Sequence, residues 1–199
     1  MHVVGVLLAA GQGRRLGGNK QLTPWPTAHG SGTLLSSAFD HIAVACDAII
    51  VVLGHRHQEI QESLKPRVFE TVLADADQEM ARSVLAGFKL ALEVDGVSCI
   101  LLQPGDHPEV AKDTLEAIIE SACRLDTAVA PQHAGHHGHP IAIPTRLARA
   151  IVQSGLPDGL AAWFRAEPSR RTFLDVDDTS VLLDIDTPND LANAIKPAT

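Results

Sequence analysis

Short apolar runs alternate with stretches of helical periodicity along most of the chain. The runs at residues 3–9, 48–53, 67–73, 98–102, 127–131 and 140–143 are too short for helices and rich in β-branched residues, so they are expected as strands. Between them, residues 34–45, 57–64, 80–93, 111–122 and 145–154 repeat apolar positions at i, i+3 and i+4, the spacing of one helix face. Two later runs, 171–176 and 181–185, are also expected as strands, and Pro188 opens a closing helix over 189–195. This alternation predicts βαβ units, a mostly parallel sheet and helices on both faces, an α/β domain of three layers. The breaker-rich stretch 24–32 and the stretch 132–138 are expected as loops.

With 199 residues and no linker-like tract, residues 1–199 are read as a single domain with a proper core. Acidic residues outnumber basic ones by 24 to 16, and the net charge is −8. No basic surplus exists to neutralise a phosphate backbone, so nucleic acid is not expected as a partner. A local anion pocket is compatible with that balance. No apolar run reaches the roughly 18–20 residues of a membrane span, and the N-terminus lacks the pattern of a secretory signal. No membrane partner is expected, and the cytoplasm is the expected compartment. Cys46, Cys99 and Cys123 lack paired CxxC spacing and sit beside apolar residues, which suits reduced thiols in or near the core.

The first apolar run feeds directly into Ala9-Ala10-Gly11-Gln12-Gly13-Arg14-Arg15-Leu16-Gly17-Gly18-Asn19-Lys20. Glycines let backbone N–H groups approach an anion, and nearby cations neutralise it. Arg15 offers a forked contact to phosphate oxygens and Lys20 a mobile point charge, while Arg14 suits solvent. A tight turn without ligand is the plainer alternative. The segment has no GxxxxGK followed by Ser or Thr, and its loose GxGxxG match ends in Leu16. A nucleoside triphosphate (NTP) held by cations as well as backbone fits better than either motif.

Ile100-Leu101-Leu102-Gln103-Pro104-Gly105-Asp106-His107-Pro108 is a second signal, an apolar strand running into an acidic turn. Ligands of open α/β sheets bind beyond the carboxyl ends of strands, which places Asp106 to hold Mg²⁺ carried by a triphosphate. His107 in the same turn is a candidate for substrate contact. In Leu183-Asp184-Ile185-Asp186-Thr187-Pro188, alternation puts Asp184 and Asp186 on one face and Leu183 and Ile185 on the other. Asp186, nearer the end of the run, is the favoured second metal ligand. Asp184 would orient a neighbour or stay solvated. Thr187, Asn189 and Asp190 read as helix-start chemistry. Asp175, Asp177 and Asp178 are read as surface or turn residues.

His133, His136, His137 and His139 lack a matching distal metal-ligand motif and are read chiefly as loop histidines, with His139 positioned to shape a cleft. The polar stretch from Asp75 precedes a helix on which Ser83 is a candidate ribose or phosphate contact. No GxSxG elbow marks Ser83 as a nucleophile.

Together, the glycine and basic loop, Gly105-Asp106-His107-Pro108, Gly138-His139-Pro140 and Leu183-Asp184-Ile185-Asp186-Thr187-Pro188 resemble the molybdenum-cofactor nucleotidyltransferases over nearly the whole chain. The resemblance is nearest the cytidylyltransferase branch, which joins CTP to molybdopterin. It implies a Rossmann-like three-layer nucleotidyltransferase fold, Mg²⁺ as cofactor, an NTP (CTP favoured) and molybdopterin as substrates, and transient contact with a molybdoenzyme maturation partner. By that resemblance Ala9, Ala10, Gly11, Gly13, Arg15 and Lys20 would hold the triphosphate, and Asp106 and Asp186 the metal. Asp75 and Ser83 would face the base and ribose, and His107 and His139 the acceptor. The family commonly has glutamine in place of His107 and glycine in place of Glu79. A GTP-using guanylyltransferase, another phosphate-acceptor nucleotidyltransferase such as a sugar-phosphate enzyme, and a non-catalytic nucleotide-binding protein stand as alternatives.

Overall fold

The computed structural model describes residues 1–11, 20–27, 30–54, 56–74 and 80–195. In chain order the elements are β1 (His2–Ala9), β2 (Pro24–Thr27), β3 (Gly30–Thr33), α1 (Leu34–Ala43), β4 (Ala48–Leu53), α2 (His57–Ser63), β5 (Glu70–Leu73) and α3 (Met80–Ala91). There follow β6 (Val97–Pro104), α4 (Lys112–Leu125), β7 (Ala128–His133), β8 (His136–His137), β9 (Ile141–Pro144), α5 (Thr145–Ser154), α6 (Gly159–Ala166), β10 (Arg171–Asp175) and α7 (Pro188–Ala194). The main sheet has the order β10-β7-β9-β6-β1-β4-β5, with β8 paired to β7. Pairs β6-β1, β1-β4, β4-β5 and β7-β10 are parallel.

Strand alternation splits the core into two layers. Val3, Leu7 and Ala9 of β1 join Leu35, Phe39 and Ile42 of α1 and Leu115, Ile118 and Ile119 of α4 on one face. Val4 and Val6 join Val84 and Phe88 of α3, Leu147 and Ile151 of α5 and Phe164 of α6 on the other. Both faces of the central strands are therefore buried, which is why these strands read as continuous apolar runs rather than alternating ones.

Three local expectations, at 24–32, 132–138 and 181–185, are corrected within a sheet that is mostly parallel as expected. The stretch 24–32 is not simply a loop: β2 and β3 form an antiparallel hairpin that buries Trp25 against Leu34 and Ile185. Residues 132–138 carry the end of β7 and the short antiparallel β8. β9 runs antiparallel to β6 and β7, so one flank of the sheet is mixed. Residues 181–185 form no strand; Thr179–Leu182 is a 3-10 turn capped by Asp178, and the chain then runs extended at Leu183. The structure adds α6, a helix that follows Pro157 and Asp158 and opens at Gly159. The closing helix is as predicted, with Thr187 and Asp190 forming a reciprocal capping box.

Asp178 has more than a turn role. Its carboxylate accepts from Ala111 N and Thr114 Oγ1, both at 2.9 Å, and from Ser180 N at 3.0 Å and Ser180 Oγ. It thereby ties the 3-10 turn to the start of α4. Burial alone would raise its pKa, but these hydrogen bonds outweigh that and hold the carboxyl below the ordinary aspartate value. The stabilisation is complete above that ordinary value and is lost as pH falls through the lower folded one. Asp178→Asn is expected to melt lower than wild type at neutral pH, with the gap closing on acidification. Thermal melts from about pH 7 to about pH 3 check this; a pH-independent gap would refute the role of the charge.

Candidate functional site

β1 and β6 run parallel and in register from Val3 opposite Cys99 to Leu8 opposite Pro104, so both deliver their carboxyl ends to one edge of the sheet. Gly105 N continues the ladder by donating to Leu8 O at 2.9 Å. A Cβ at Gly105 would lie 2.8 Å from Leu8 O and 2.8 Å from Leu35 Cδ1, so the close approach requires glycine. Gln103, fully buried, donates from Nε2 to His107 O at 2.8 Å and closes the turn that carries Asp106.

The second acidic segment is fastened to the same turn. Ile185 N donates to Asp106 O at 3.1 Å, and the Ile185 side chain is fully buried with Trp25 and Leu34. Asp184 and Asp186 flank this anchor on the more exposed side. The alternation expected from sequence is thus realised by an extended segment without strand pairing. Gly138 packs against Val181, where an added Cβ would meet Val181 O at 2.5 Å, and His139 N donates to Val181 O at 3.0 Å. The Gly-His-Pro motif therefore braces the acidic segment from behind.

Lys20 enters from the other side of β1. It sits in a 3-10 turn, Lys20–Leu22, and is only 7% exposed. Its ammonium lies 2.7 Å from Asp106 Oδ2, hydrogen-bonds Asp186 Oδ1 and is 3.6 Å from Asp184 Oδ1. Burial alone would lower the Lys20 pKa; the bonds to Asp106 and Asp186 and the charges of Asp106 and Asp184 reverse that, and the net shift is upward. Burial pushes the Asp184 carboxyl upward, and the neighbouring Asp106 charge adds to it. Gln21 donates to Ala9 O at 3.3 Å and to Gly11 O at 2.6 Å, pinning the exit of β1.

His107 and His139 stand beside the carboxylates with ring centroids 4.8 Å apart and planes at 64°. Burial lowers the pKa of His107, and it lowers that of His139 to about 4, which favours the neutral ring in both. Three buried atoms of this cluster, Gln103 Oε1, His107 Nδ1 and His139 Nδ1, have no hydrogen-bond partner among the described residues. Ligand atoms of Asp106, His107 and Asp184 lie within 4.8 Å of one another. Two carboxylates and an imidazole are a donor set that fits a divalent cation. Asp184, rather than Asp186, is the second carboxylate of this group, while Asp186 is engaged by Lys20.

The structure brings together Lys20, Asp106, His107, His139, Asp184 and Asp186, with Ala9, Ala10 and Gly11 at the adjoining strand end. Ser83 is buried on the face of α3 that carries Val84 and Gly87. Gly13, Arg15 and Asp75 lie outside the described residues. Of the loop histidines, His137 stacks on Phe173 at 3.6 Å, and His133 Nδ1 is 2.9 Å from Val176 O. Gln103 and Gln21 were not foreseen. A glutamine ending the apolar run Ile100-Leu101-Leu102 was the one available signal, because a polar side chain in a doubly covered strand needs a partner. No helix among the described residues is long and apolar enough to cross a membrane.

A family model of the MobA-like NTP transferase domain matches residues 5–172. The chain is 28% identical over 190 residues to the molybdenum cofactor cytidylyltransferase of Escherichia coli K12, covering 95% of this chain and 93% of that one. It is 29% identical over 195 residues to nicotine blue oxidoreductase of Paenarthrobacter nicotinovorans, covering 93% and 92%. Among solved structures, Rv0371c of Mycobacterium tuberculosis H37Rv superposes with a TM-score of 0.81 at 25% identity over all of both chains.

Lys20→Met removes the cation that three carboxylates share. It is expected to lower stability by about 1–3 kcal/mol, below the cost of breaking a fully buried pair, because the side chains of Asp106, Asp184 and Asp186 are 29%, 46% and 40% exposed. Added Mg²⁺ should then raise Tm more in the variant than in wild type, since no ammonium competes for the carboxylates. Melting curves with and without Mg²⁺ measure this; equal gains in the two proteins would rule out the competition.

Proposed function

The chain belongs to the MobA-like NTP transferase domain family, and from that premise we propose that it transfers a nucleotide from CTP to molybdopterin and releases pyrophosphate. One observation carries the reading: Lys20, Asp106, Asp184 and Asp186 meet at the carboxyl ends of adjacent central strands, where α/β sheets bind nucleotides. The likeness to a molybdenum cofactor cytidylyltransferase over nearly the full chain favours this donor and acceptor.

The acceptor's terminal phosphate attacks the α-phosphorus in line, forming the new P–O bond as the bond to pyrophosphate breaks. That nucleophile is anionic near neutral pH, so no strong protein base is required. The neutral, buried His107 and His139 suit this, lining the acceptor side as polar but uncharged groups. Asp106 and Asp186, with Asp184 beside them, would hold Mg²⁺, which when bound supplies charge neutralisation for the phosphates. Lys20 would exchange its carboxylate partners for the α- or β-phosphate. Gln21 satisfies the Ala9 and Gly11 carbonyls, and by the family pattern backbone N–H groups of the glycine loop would take the anion. Gly13 and Arg15 on the phosphates, and Asp75 and Ser83 toward the base and ribose, take their roles from the family pattern. The product would pass to a molybdoenzyme maturation partner by transient contact.

Pyrophosphate release with Mg²⁺, measured for CTP, GTP, ATP and UTP separately against molybdopterin, is expected with CTP and a cytidylylated product. Release with GTP alone would keep the reaction and change the donor. Tight NTP binding without release would leave a nucleotide-binding role in its place. Asp106→Ala should reduce turnover on the order of a hundredfold, the scale on which loss of one transition-state charge stabiliser acts; normal turnover at ordinary Mg²⁺ would remove Asp106 from the centre.

A further inference from the structure

We propose that His107 is a nitrogen ligand of the cation site, so that the site binds first-row transition ions, Mn²⁺ included, more tightly than Mg²⁺. The inference rests on the proposed reading of the aspartates at this site as cation ligands, of which Asp106 and Asp184 stand within reach of His107.

Distance is the first argument. Two donors, each about 2.1 Å from one ion, can be separated by no more than about 4.2 Å. His107 Nε2 lies 3.9 Å from Asp106 Oδ1, already inside that limit. The three donor atoms together span no more than 4.8 Å, so closing on an ion takes shifts of tenths of an ångström.

Preorganisation is the second. The His107 side chain is only 9% exposed, its ring packs edge-to-face on His139, and its carbonyl is gripped by Gln103. A ligand already ordered by its surroundings loses little freedom on binding.

The third is the second shell. Ligating imidazoles usually donate their other N–H to an acceptor, which fixes the tautomer and the ring. His107 Nδ1 and Gln103 Oε1 are both buried and without partners among the described residues, and Gln103 Nε2 donates to the backbone carbonyl of His107. The tautomer that carries its proton on Nδ1 leaves the lone pair on Nε2, the nitrogen 3.9 Å from Asp106 Oδ1. The selectivity then follows from the donor set: all-oxygen sites suit Mg²⁺, which dehydrates reluctantly, whereas an imidazole adds affinity for first-row transition ions that rises along the series from Mn²⁺, its weakest member.

Pulsed EPR of Mn²⁺ bound to the purified protein tests the assignment directly. Wild type is expected to show ¹⁴N coupling that His107→Gln abolishes and His139→Gln retains. ¹⁵N-histidine labelling of wild type should replace the ¹⁴N pattern by the ¹⁵N one, a test that mutates no buried residue. In His107→Gln, Mn²⁺ affinity should fall by about tenfold or more, the lower end of what even an outer-shell change costs, while Mg²⁺ affinity measured by competition should move far less. Bound Mn²⁺ without nitrogen coupling, or coupling that survives in His107→Gln, would overturn the role of His107 and leave the nucleotidyl-transfer reading standing. Failure of wild type to bind Mn²⁺ at all would overturn the cation site and that reading together.

Discussion

Asp106, Asp184 and Asp186 crowd around a single ammonium at the carboxyl ends of β1 and β6, and their mutual repulsion has to be offset by positive charge. Two unit charges about 4 Å apart repel by about 1 kcal/mol in water and about 4 kcal/mol near a protein surface, so three carboxylates would spread apart if left alone. Lys20 answers part of that charge. Three negative charges against one positive still leave the site with an affinity for further cations, and that residual charge is what a divalent ion and a polyphosphate together would use. Burial favours the neutral form of the two histidines beside it.

Most of what holds this cluster is backbone geometry and apolar packing some distance from the charges. Parallel pairing of β1 with β6 sets Asp106 beyond one strand and Gly11 beyond the other. The Ile185 N–H bond to Asp106 O fastens the acidic segment to the same turn, and burial of Ile185 with Trp25 and Leu34 keeps it there. Gly138 and His139 brace Val181 from behind, while Asp178 ties the preceding 3-10 turn to α4. The charges can exchange partners because the frame that carries them does not depend on them.

Much of this was legible along the chain. The apolar runs placed the central strands because both of their faces are covered, and α1, α3, α4 and α5 showed their buried faces in the spacing of apolar residues. Alternation at 183–186 placed the side chains correctly even though the segment pairs with no strand, because an extended chain alternates whether or not it joins a sheet. The hairpin at 24–33 was hidden by its two prolines and two glycines, which ordinarily interrupt a sheet. Only the burial of Trp25 against Ile185, from the far end of the chain, makes that stretch worth ordering.

What the sequence by itself determined is the class of fold and the chemical types in the site: a glycine and basic loop after one buried strand, an aspartate after another, and a pair of aspartates on one face of a late segment. These are local properties, set by periodicity and by the residue types that follow each run. The tertiary structure alone decided their pairing. It set Lys20 among the three aspartates, brought Asp184 rather than Asp186 into one group with Asp106 and His107, and buried His107 and Gln103 beneath them. Those outcomes depend on contacts across 86 residues between Lys20 and Asp106 and across 166 between Lys20 and Asp186, distances along the chain at which no local pattern carries information about which groups meet.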